Sequence, residues 1–468
     1  MAGTVAGTNS APVPRMFLDV FKTDGLAQIG YLVGDGHHAL AIDPTRDVEP
    51  MLEAARRRGV GIETILETHR NEDYVVGSRE LAERTGAHIH HGVGLDFGYG
   101  RPAREGDVFE AGSVELRTLE TPGHTPESLS FVLRDRSTGD GALAVFTGDA
   151  LFVGDVGRTD LTGDARRAAE SLYQSLHEKL LPLGDQVVVH PAHGAGSVCG
   201  EHMADRDFST LGYERAHNPM LQLDREAFVD AKLREQHVVP PYFAEMEVVN
   251  KEGPPVLGHL PDPWPLGPDE VAARVAEGAR VVDVRSAEAF VGASIPGALS
   301  LPLGLVTAYA GWLLPPDQVL VLVAERRSDV DEAVRALTNV GRTRIRGWLA
   351  AGMKGWETSG RPIARFPVAH AEEVAARARE GSDGIIDVRK GPEYAAGHLP
   401  GAHHVFLGDL PGKLGIGALP AGPLVTVCGS GQRATVAASL LAGENREVAV
   451  ALGPMAACAT LDCPTTTA

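Results

Sequence analysis

The stretch VVDVRSAEAFVGASIPGA, from Val281 to Ala298, returns as IIDVRKGPEYAAGHLPGA from Ile385 to Ala402. The offset, taken from Asp283 to Asp387, is 104 residues, and it carries Arg285 onto Arg389, Phe290 onto Tyr394, Pro296 onto Pro400 and Gly297 onto Gly401 without a gap. Self-similarity over that span means one domain written twice, so whatever the first copy folds into the second must also adopt. Each copy opens on a helix-like stretch (PDEVAARVAEG, HAEEVAARAREG) and passes through an apolar strand ending in Asp-Val-Arg. A second apolar run follows in each, QVLVLVA or PLVTVC. Buried strands alternating with helices predict a parallel sheet with crossover helices. The two copies are expected over residues 266–362 and 368–468.

The chain has 468 residues, more than one hydrophobic core usually serves, so a further domain is expected ahead of the repeat. There, short β-rich runs (YLVGDGHHALAID, SVELRTLETPG, ALAVFTGD, QVVVHPAHG) alternate with helical stretches such as VEPMLEAARRRG. They predict an α/β domain over 15–250. Prolines crowd the segment from Val238 to Pro268, where irregular structure and a domain boundary are expected.

The 62 acidic against 43 basic residues give a formal charge of −19, which repels nucleic acid and anionic lipid alike. The opening MAGTVAGTNSAPVP has no basic or apolar leader pattern, and no run of about eighteen apolar residues occurs. Neither export nor membrane insertion is expected. Four cysteines, Cys199, Cys428, Cys458 and Cys463, are too few and too irregular for a disulfide framework, which points to a reducing, cytoplasmic setting.

Four strand ends in the first domain carry residue types that bind metals. ETHRNEDYVVGS places His69 and Asp73 at a strand-to-helix turn; TPGHTPES offers His124, FTGDALF offers Asp149, and VVVHPAHGAG offers His193. A single histidine after a strand is more often structural than ligating, but five such groups in this order point to a metal site. With Asp43 ending an earlier strand in LAIDP, the order resembles the metallo-β-lactamase superfamily. The resemblance implies an αββα sandwich, followed by the two repeated domains.

Members with two zinc ions carry His-x-His-x-Asp-His. Here Asn71 stands for the second histidine and Tyr74 for the last, and neither is a good zinc ligand. His69, His124 and Asp149 remain, a two-histidine, one-carboxylate set that suits one non-haem Fe(II) per chain, with zinc as the alternative. The persulfide dioxygenase branch uses such a triad. Resemblance to it puts Asp73 and His193 behind the ligands, orienting them or carrying protons. It also matches Arg158, in GRTDL, to the arginine that holds the carboxylate of the thiol carrier. The tyrosine that those enzymes place after the last motif histidine is absent, the chain reading AHGAGSVCG. Cys199 stands there and resembles the extra cysteine of dioxygenase–rhodanese fusions; a buried apolar thiol is the equal alternative.

In PLVTVCGSGQRATVAASLL, Cys428 ends an apolar strand, and a Gly-rich loop and a helix follow. Backbone N–H groups of such a loop, with the helix N-terminus, favour an anion at its centre, and Arg433 adds a cation. The loop and DVRxxxEYxxGHLPGA closely resemble the rhodanese family. The four residues between Cys428 and Arg433 (Gly429, Ser430, Gly431, Gln432) suit a single sulfur, whereas related phosphatases carry one more residue. The repeat offset puts Ala324 at the cysteine position of the first copy and Asp329 at the arginine position. The middle domain is therefore expected to be catalytically silent. Cys458 and Cys463 read as core or tail residues.

Together the resemblances imply two rhodanese-like α/β domains with central parallel sheets behind a metallo-β-lactamase fold. The implied activity is oxidation of a low-molecular-weight thiol persulfide by O₂ to sulfite, coupled to sulfur transfer through Cys428 with sulfite or thiosulfate. A homo-oligomer without nucleic-acid or membrane partners is expected. The alternative is a glyoxalase II-like zinc thioester hydrolase with an appended sulfurtransferase.

Overall fold

The computed structural model describes residues 15–453 except 24, 201, 382–383 and 415–416, together with 455 and 464–467. Cys458 and Cys463 lie outside the described residues. The described chain forms two compact units. One runs to Val239 and adds Phe243–Gly258; the other takes Pro240–Tyr242 and the chain from His259 onward.

In the first unit the strand Gln28–Asp35 (QIGYLVGD) is buried along its whole length, as a strand covered on both faces should be. It lies between Phe17–Thr23 and His38–Ile42, both antiparallel to it, and the sheet continues in chain order through Gly61–Leu66, His88–Gly92 and Arg101–Ala103. A second six-stranded sheet, also in chain order, runs from Val108–Ala111 through Val114–Glu120, Leu129–Asp135, Ala144–Gly148 and Val188–Pro191 to Ser209–Thr210. Their inner faces share one core, Ile29, Tyr31, Ile42 and Leu66 meeting Leu116, Phe131 and Phe146. Helices cover the outer faces. Met51 and Leu81, from Glu49–Arg58 and Ser78–Thr85, pack on Leu32 and Ile65 of the first sheet. Leu172 and Phe228, from Ala165–Gln174 and Arg225–Arg234, pack with Val145 and Val189 of the second. This is the expected αββα sandwich.

Two parallel strand pairs matter for function: His38–Ile42 beside Gly61–Leu66, and Ala144–Gly148 beside Val188–Pro191. Asp43, His69, Asp149 and His193 all follow the C-terminal ends of these four strands. Gly148, just ahead of Asp149, has φ 54°, and a Cβ there would fall 2.8 Å from the Thr68 side chain. The two sheets thus close on each other where the ligand-bearing turns leave them, with no room for a larger residue.

The proline-rich segment departs from expectation. Its prolines flank a proline-free stretch, FAEMEVVNKE, and Phe243–Glu252 forms a helix that belongs to the first unit. Buried Asn250 on this helix accepts from the Val76 N–H (3.1 Å) and donates to the carbonyls of Asn71 and Tyr74 (2.8 Å each). A segment read as linker therefore holds the turn that carries His69 and Asp73.

The second unit holds two five-stranded sheets. One is built from Trp264–Leu266, Arg280–Asp283, Leu299–Ser300, Leu320–Val323 and Ile345–Leu349; the other from Val368–Ala369, Ile385–Asp387, His403–His404, Leu424–Val427 and Val448–Ala451. Numbered by appearance, both have the order 1-5-4-2-3, with every recorded pairing parallel. The Asp-Val-Arg motif folds identically in each. Arg285 forks onto Asp283 (Nη2–Oδ2 2.7 Å) and donates to the Ala293 carbonyl; Arg389 does the same with Asp387 (2.7 Å) and Gly397. The fork satisfies a buried carboxylate at the strand end and ties down the helix after it. No described helix is long and apolar enough to cross a membrane.

Truncating Asn250→Ala removes all three bonds to the 71–76 turn. We predict that hydrogen–deuterium exchange at the Val76 amide accelerates about tenfold or more while the sheet amides keep their protection. Unchanged exchange at Val76 would contradict the role given to this helix.

Candidate metal centre and sulfur cradle

The strand Gly61–Leu66 delivers Thr68 and His69 into the space between the sheets. Asp43, at φ 46° after His38–Ile42, accepts from both the Thr68 N–H (2.8 Å) and the Thr68 hydroxyl (2.6 Å). With its proton committed to Asp43, the Thr68 oxygen can only accept from His69 Nδ1, 2.9 Å away. The His69 Nε2 lone pair is thereby turned inward. His124 is fixed in the same way, its Nδ1 lying 3.0 Å from the Arg158 carbonyl, which leaves Nε2 bare.

The two bare nitrogens converge on Asp149. Its Oδ2 lies 3.6 Å from His69 Nε2 and 3.4 Å from His124 Nε2, and both nitrogens are buried without a hydrogen-bond partner. Donor atoms bound about 2.1 Å from one ion in tetrahedral array stand about 3.4 Å apart, so the spacing fits a single metal. Burial pulls His69 down to about 4, which keeps it neutral and ligating. Burial would raise Asp149, but His193 and His69 outweigh it and hold the carboxyl ionised. His193 bonds Asp149 Oδ1 through Nδ1 (2.8 Å) and faces Asp73 through Nε2 (3.2 Å). Burial would lower His193, yet these two carboxylates push it well above its usual range. His193 thus lies between two carboxylates.

One further donor was missed in the sequence. Glu72 is fully buried, its Oε2 lies 3.6 Å from His124 Nε2, and that oxygen has no hydrogen-bond partner. His69, Glu72 and His124 offer ligand atoms within 4.8 Å of one another, as do His69, Asp149 and His193. Asn71, at the position of a missing imidazole, has φ 56° and donates from its amide to the His69 carbonyl (3.1 Å). Asparagine tolerates this left-handed turn, which explains how the neighbouring Glu72 comes to point inward. Only the turn at Asn71 distinguishes Glu72 from its neighbour Asp73 in HRNED, and a sequence does not display φ.

Cys199 is buried, with its sulfur within 4.8 Å of donor atoms of His124 and Asp149, and likewise of Asp73 and His193. Burial, then Asp149 and Asp73, push its thiol well above the usual range. Arg158 is less open than its resemblance suggested. Its Nε and Nη2 fork onto Asp160 (2.7 and 2.6 Å), Nη1 donates to the Val198 and Val238 carbonyls, and the side chain is fully buried. A substrate carboxylate at Arg158 would have to displace Asp160.

The second centre lies in the third domain. Cys428 follows Leu424–Val427 and is fully buried, and the Gly431 N–H donates to its sulfur at 3.1 Å. Gly431 has φ 98° and begins the helix Gln432–Gly443; a Cβ there would meet the Leu452 backbone at 2.8 Å. Glycine is thus needed for the loop to curl under the sulfur. Gly429, Ser430 and Gln432 complete the loop. Arg433 is forked onto Glu393 (2.6 and 2.7 Å) rather than free. In the middle domain Ala324 follows Leu320–Val323, and the Asp329 carboxylate accepts from Arg326 through both the backbone N–H (3.2 Å) and the guanidinium (2.8 Å). The position of the cradle's arginine thus holds an acid that caps the start of the following helix.

Comparison with known proteins identifies the domains. The metallo-beta-lactamase superfamily profile matches residues 30–193, and the rhodanese-like domain profile matches twice, over 267–359 and 370–457. The mitochondrial persulfide dioxygenase ETHE1 of Homo sapiens is 32% identical over 205 residues, covering 42% of this chain and 73% of that protein. The hydroxyacylglutathione hydrolase GloC of Haemophilus influenzae is 27% identical over 209 residues, covering 40% of this chain and 89% of that protein. The crystal structure of a metallo-beta-lactamase from Staphylococcus aureus subsp. aureus COL superposes with a TM-score of 0.65 at 30% identity, covering 71% of this chain and 98% of that one. The chain belongs to the metallo-beta-lactamase superfamily, among relatives of the persulfide dioxygenases, and carries two rhodanese-like domains.

Proposed function

We propose that the first unit oxidises a low-molecular-weight thiol persulfide with dioxygen and that the third domain moves sulfane sulfur through Cys428. The observation that carries the first half is the pair of buried, unpartnered imidazole nitrogens 3.6 and 3.4 Å from one carboxylate oxygen. His69, His124 and Asp149 would hold the ion, with Glu72 as a further oxygen donor. Iron(II) held there would supply the redox chemistry that joins a persulfide sulfur to dioxygen. The balance is RSSH + O₂ + H₂O → RSH + SO₃²⁻ + 2H⁺, the four electrons lost by the outer sulfur going to dioxygen.

The residues around the donors have separable tasks. Asp43 and Thr68 hold the His69 ring in one tautomer. His193 keeps Asp149 ionised and, charged, stands as a proton source whose proton Asp73 can share. Burial of the whole set excludes bulk water. The likeness to a hydroxyacylglutathione hydrolase favours a zinc thioesterase instead, but a two-metal site of that kind would lose one imidazole from each metal, Asn71 and Tyr74 standing in their places.

In the third domain, a persulfide on Cys428 is an anion held by the Gly431 N–H and the helix start. Attack by sulfite on its outer sulfur, CysSS⁻ + SO₃²⁻ → CysS⁻ + S₂O₃²⁻, forms a sulfur–sulfur bond as the cysteine thiolate leaves. The reaction runs equally in reverse.

Two variants test the division of labour. Cys428→Ser should lose sulfur transfer from thiosulfate by at least about a thousandfold, the scale set by loss of a covalent nucleophile, while keeping persulfide-dependent O₂ uptake within about twofold. Asp149→Ala should lose O₂ uptake and bound metal while keeping sulfur transfer. Loss of both activities in either variant, or unchanged metal content in Asp149→Ala, would overturn this reading. The hydrolase reading gains instead if the wild-type protein turns over an acyl-glutathione thioester and consumes no O₂ with glutathione persulfide.

A further inference from the structure

The repeat supplies its own comparison for the third domain's site. Subtracting the 104-residue offset takes Cys428 to Ala324, Arg433 to Asp329 and Glu393 to Ala289, so the copy without the cysteine and the arginine lacks the glutamate as well. The Asp-Val-Arg fork, which closes the strand end in both copies, is kept. Glu393 therefore sorts with the chemistry and not with the fold. The helix at this place does not need it: in the middle domain Ala287–Gly292 forms with the Ser286 hydroxyl accepting from the Ala289 N–H (3.2 Å).

In the third domain a short relay holds the Glu393 carboxylate. Arg389, forked onto Asp387, donates to the Gly397 carbonyl at 2.7 Å and so fixes the end of the helix Gly391–Ala396. At the start of that helix the Lys390 N–H donates to Glu393 Oε2 at 3.1 Å. The carboxylate then takes Arg433 by both terminal nitrogens, Nη1 on Oε2 (2.6 Å) and Nη2 on Oε1 (2.7 Å). Arg433 is the second residue of the helix Gln432–Gly443, in the first turn, where the helix dipole disfavours a cation. Unpaired, its flexible side chain would swing toward water. The fork offsets this and keeps the head group beside the loop, Nη2 lying 3.9 Å from a Cβ built on Gly429.

The pair is also open to a small anion, the two side chains being 19% and 40% exposed. The fork uses one N–H of each terminal nitrogen and leaves out the Nε–H edge, so Glu393 and an oxyanion can use different edges of one guanidinium. The loop itself is fastened without Glu393. The Gly431 N–H reaches Cys428 Sγ, and Thr426 Oγ1 donates to the Ala434 carbonyl at 2.9 Å.

We propose that Glu393 is a positioning residue of the third domain's sulfurtransferase site: it holds the Arg433 guanidinium beside the Cys428 loop to receive an anionic sulfur donor or acceptor of the thiosulfate or sulfite kind. This rests on the sulfurtransferase reading of Cys428.

The test uses the full-length chain with thiosulfate as donor and cyanide as acceptor. Glu393→Gln keeps an oxygen for the Lys390 N–H and removes the charge. Its KM for thiosulfate should rise about tenfold with kcat within about threefold, and Glu393→Asp should recover part of the loss. Introduced into an Arg433→Ala background, Glu393→Gln should add less than about twofold. Mapping Cys428 alkylation by mass spectrometry gives a readout without turnover: in Glu393→Gln anionic iodoacetate should slow about tenfold while neutral iodoacetamide keeps its rate. An unchanged or lower KM, an equal loss in the Arg433→Ala background, or equal slowing of both reagents, which marks a collapsed loop, would overturn the proposal. No sulfur transfer by the wild-type chain would overturn the reading of Cys428 itself, and the alkylation ratio still reports on Glu393.

Discussion

Four carboxylates, Asp43, Glu72, Asp73 and Asp149, are buried beside three imidazoles in one small volume between the sheets. An ionised group taken out of water needs a partner, and breaking such a set by removing one member leaves an uncompensated charge. Asp43 is relieved by two hydrogen bonds from Thr68, and Asp149 by His193. His69 Nε2, His124 Nε2 and Glu72 Oε2 have no such relief. A bound cation would resolve all three at once. The rest of the first unit follows from holding this arrangement together: parallel strands that end at one place, a glycine at 148 packed against Thr68, and a helix after the sandwich whose Asn250 ties the ligand-bearing turn.

The second unit reuses one solution and edits it. Asp283–Arg285 and Asp387–Arg389 are superimposable in role, each fork closing the end of a central strand. The edit lies one strand away. Replacing cysteine and arginine by Ala324 and Asp329 removes the nucleophile and puts a helix-capping acid where the cradle has its cation. What the middle domain retains is its core and the strand-end fork.

Much of this was legible in the sequence because it is periodic or punctuated. The 104-residue repeat fixed two matching sheets, and His69, His124 and Asp149 stood out because each follows an apolar run into a turn. What escaped depends on backbone conformation or on contacts distant in the chain. Asn71 was read only as a missing ligand, whereas its left-handed φ decides where Glu72 goes. The helix Phe243–Glu252 was hidden by flanking prolines, although the stretch between them contains none. Arg158 carried a family role by position, but Asp160, two residues on, engages it.

The central claim is one metal per chain, iron, on His69, His124 and Asp149. X-ray absorption at the metal edge, on protein purified without oxygen and assayed for metal content, tests it most directly. The account predicts about one iron per chain, a first shell of nitrogen and oxygen only, and no second metal in the scattering. A stoichiometry near two with a metal–metal distance of about 3.5 Å, the separation of paired hydrolytic sites, would contradict it.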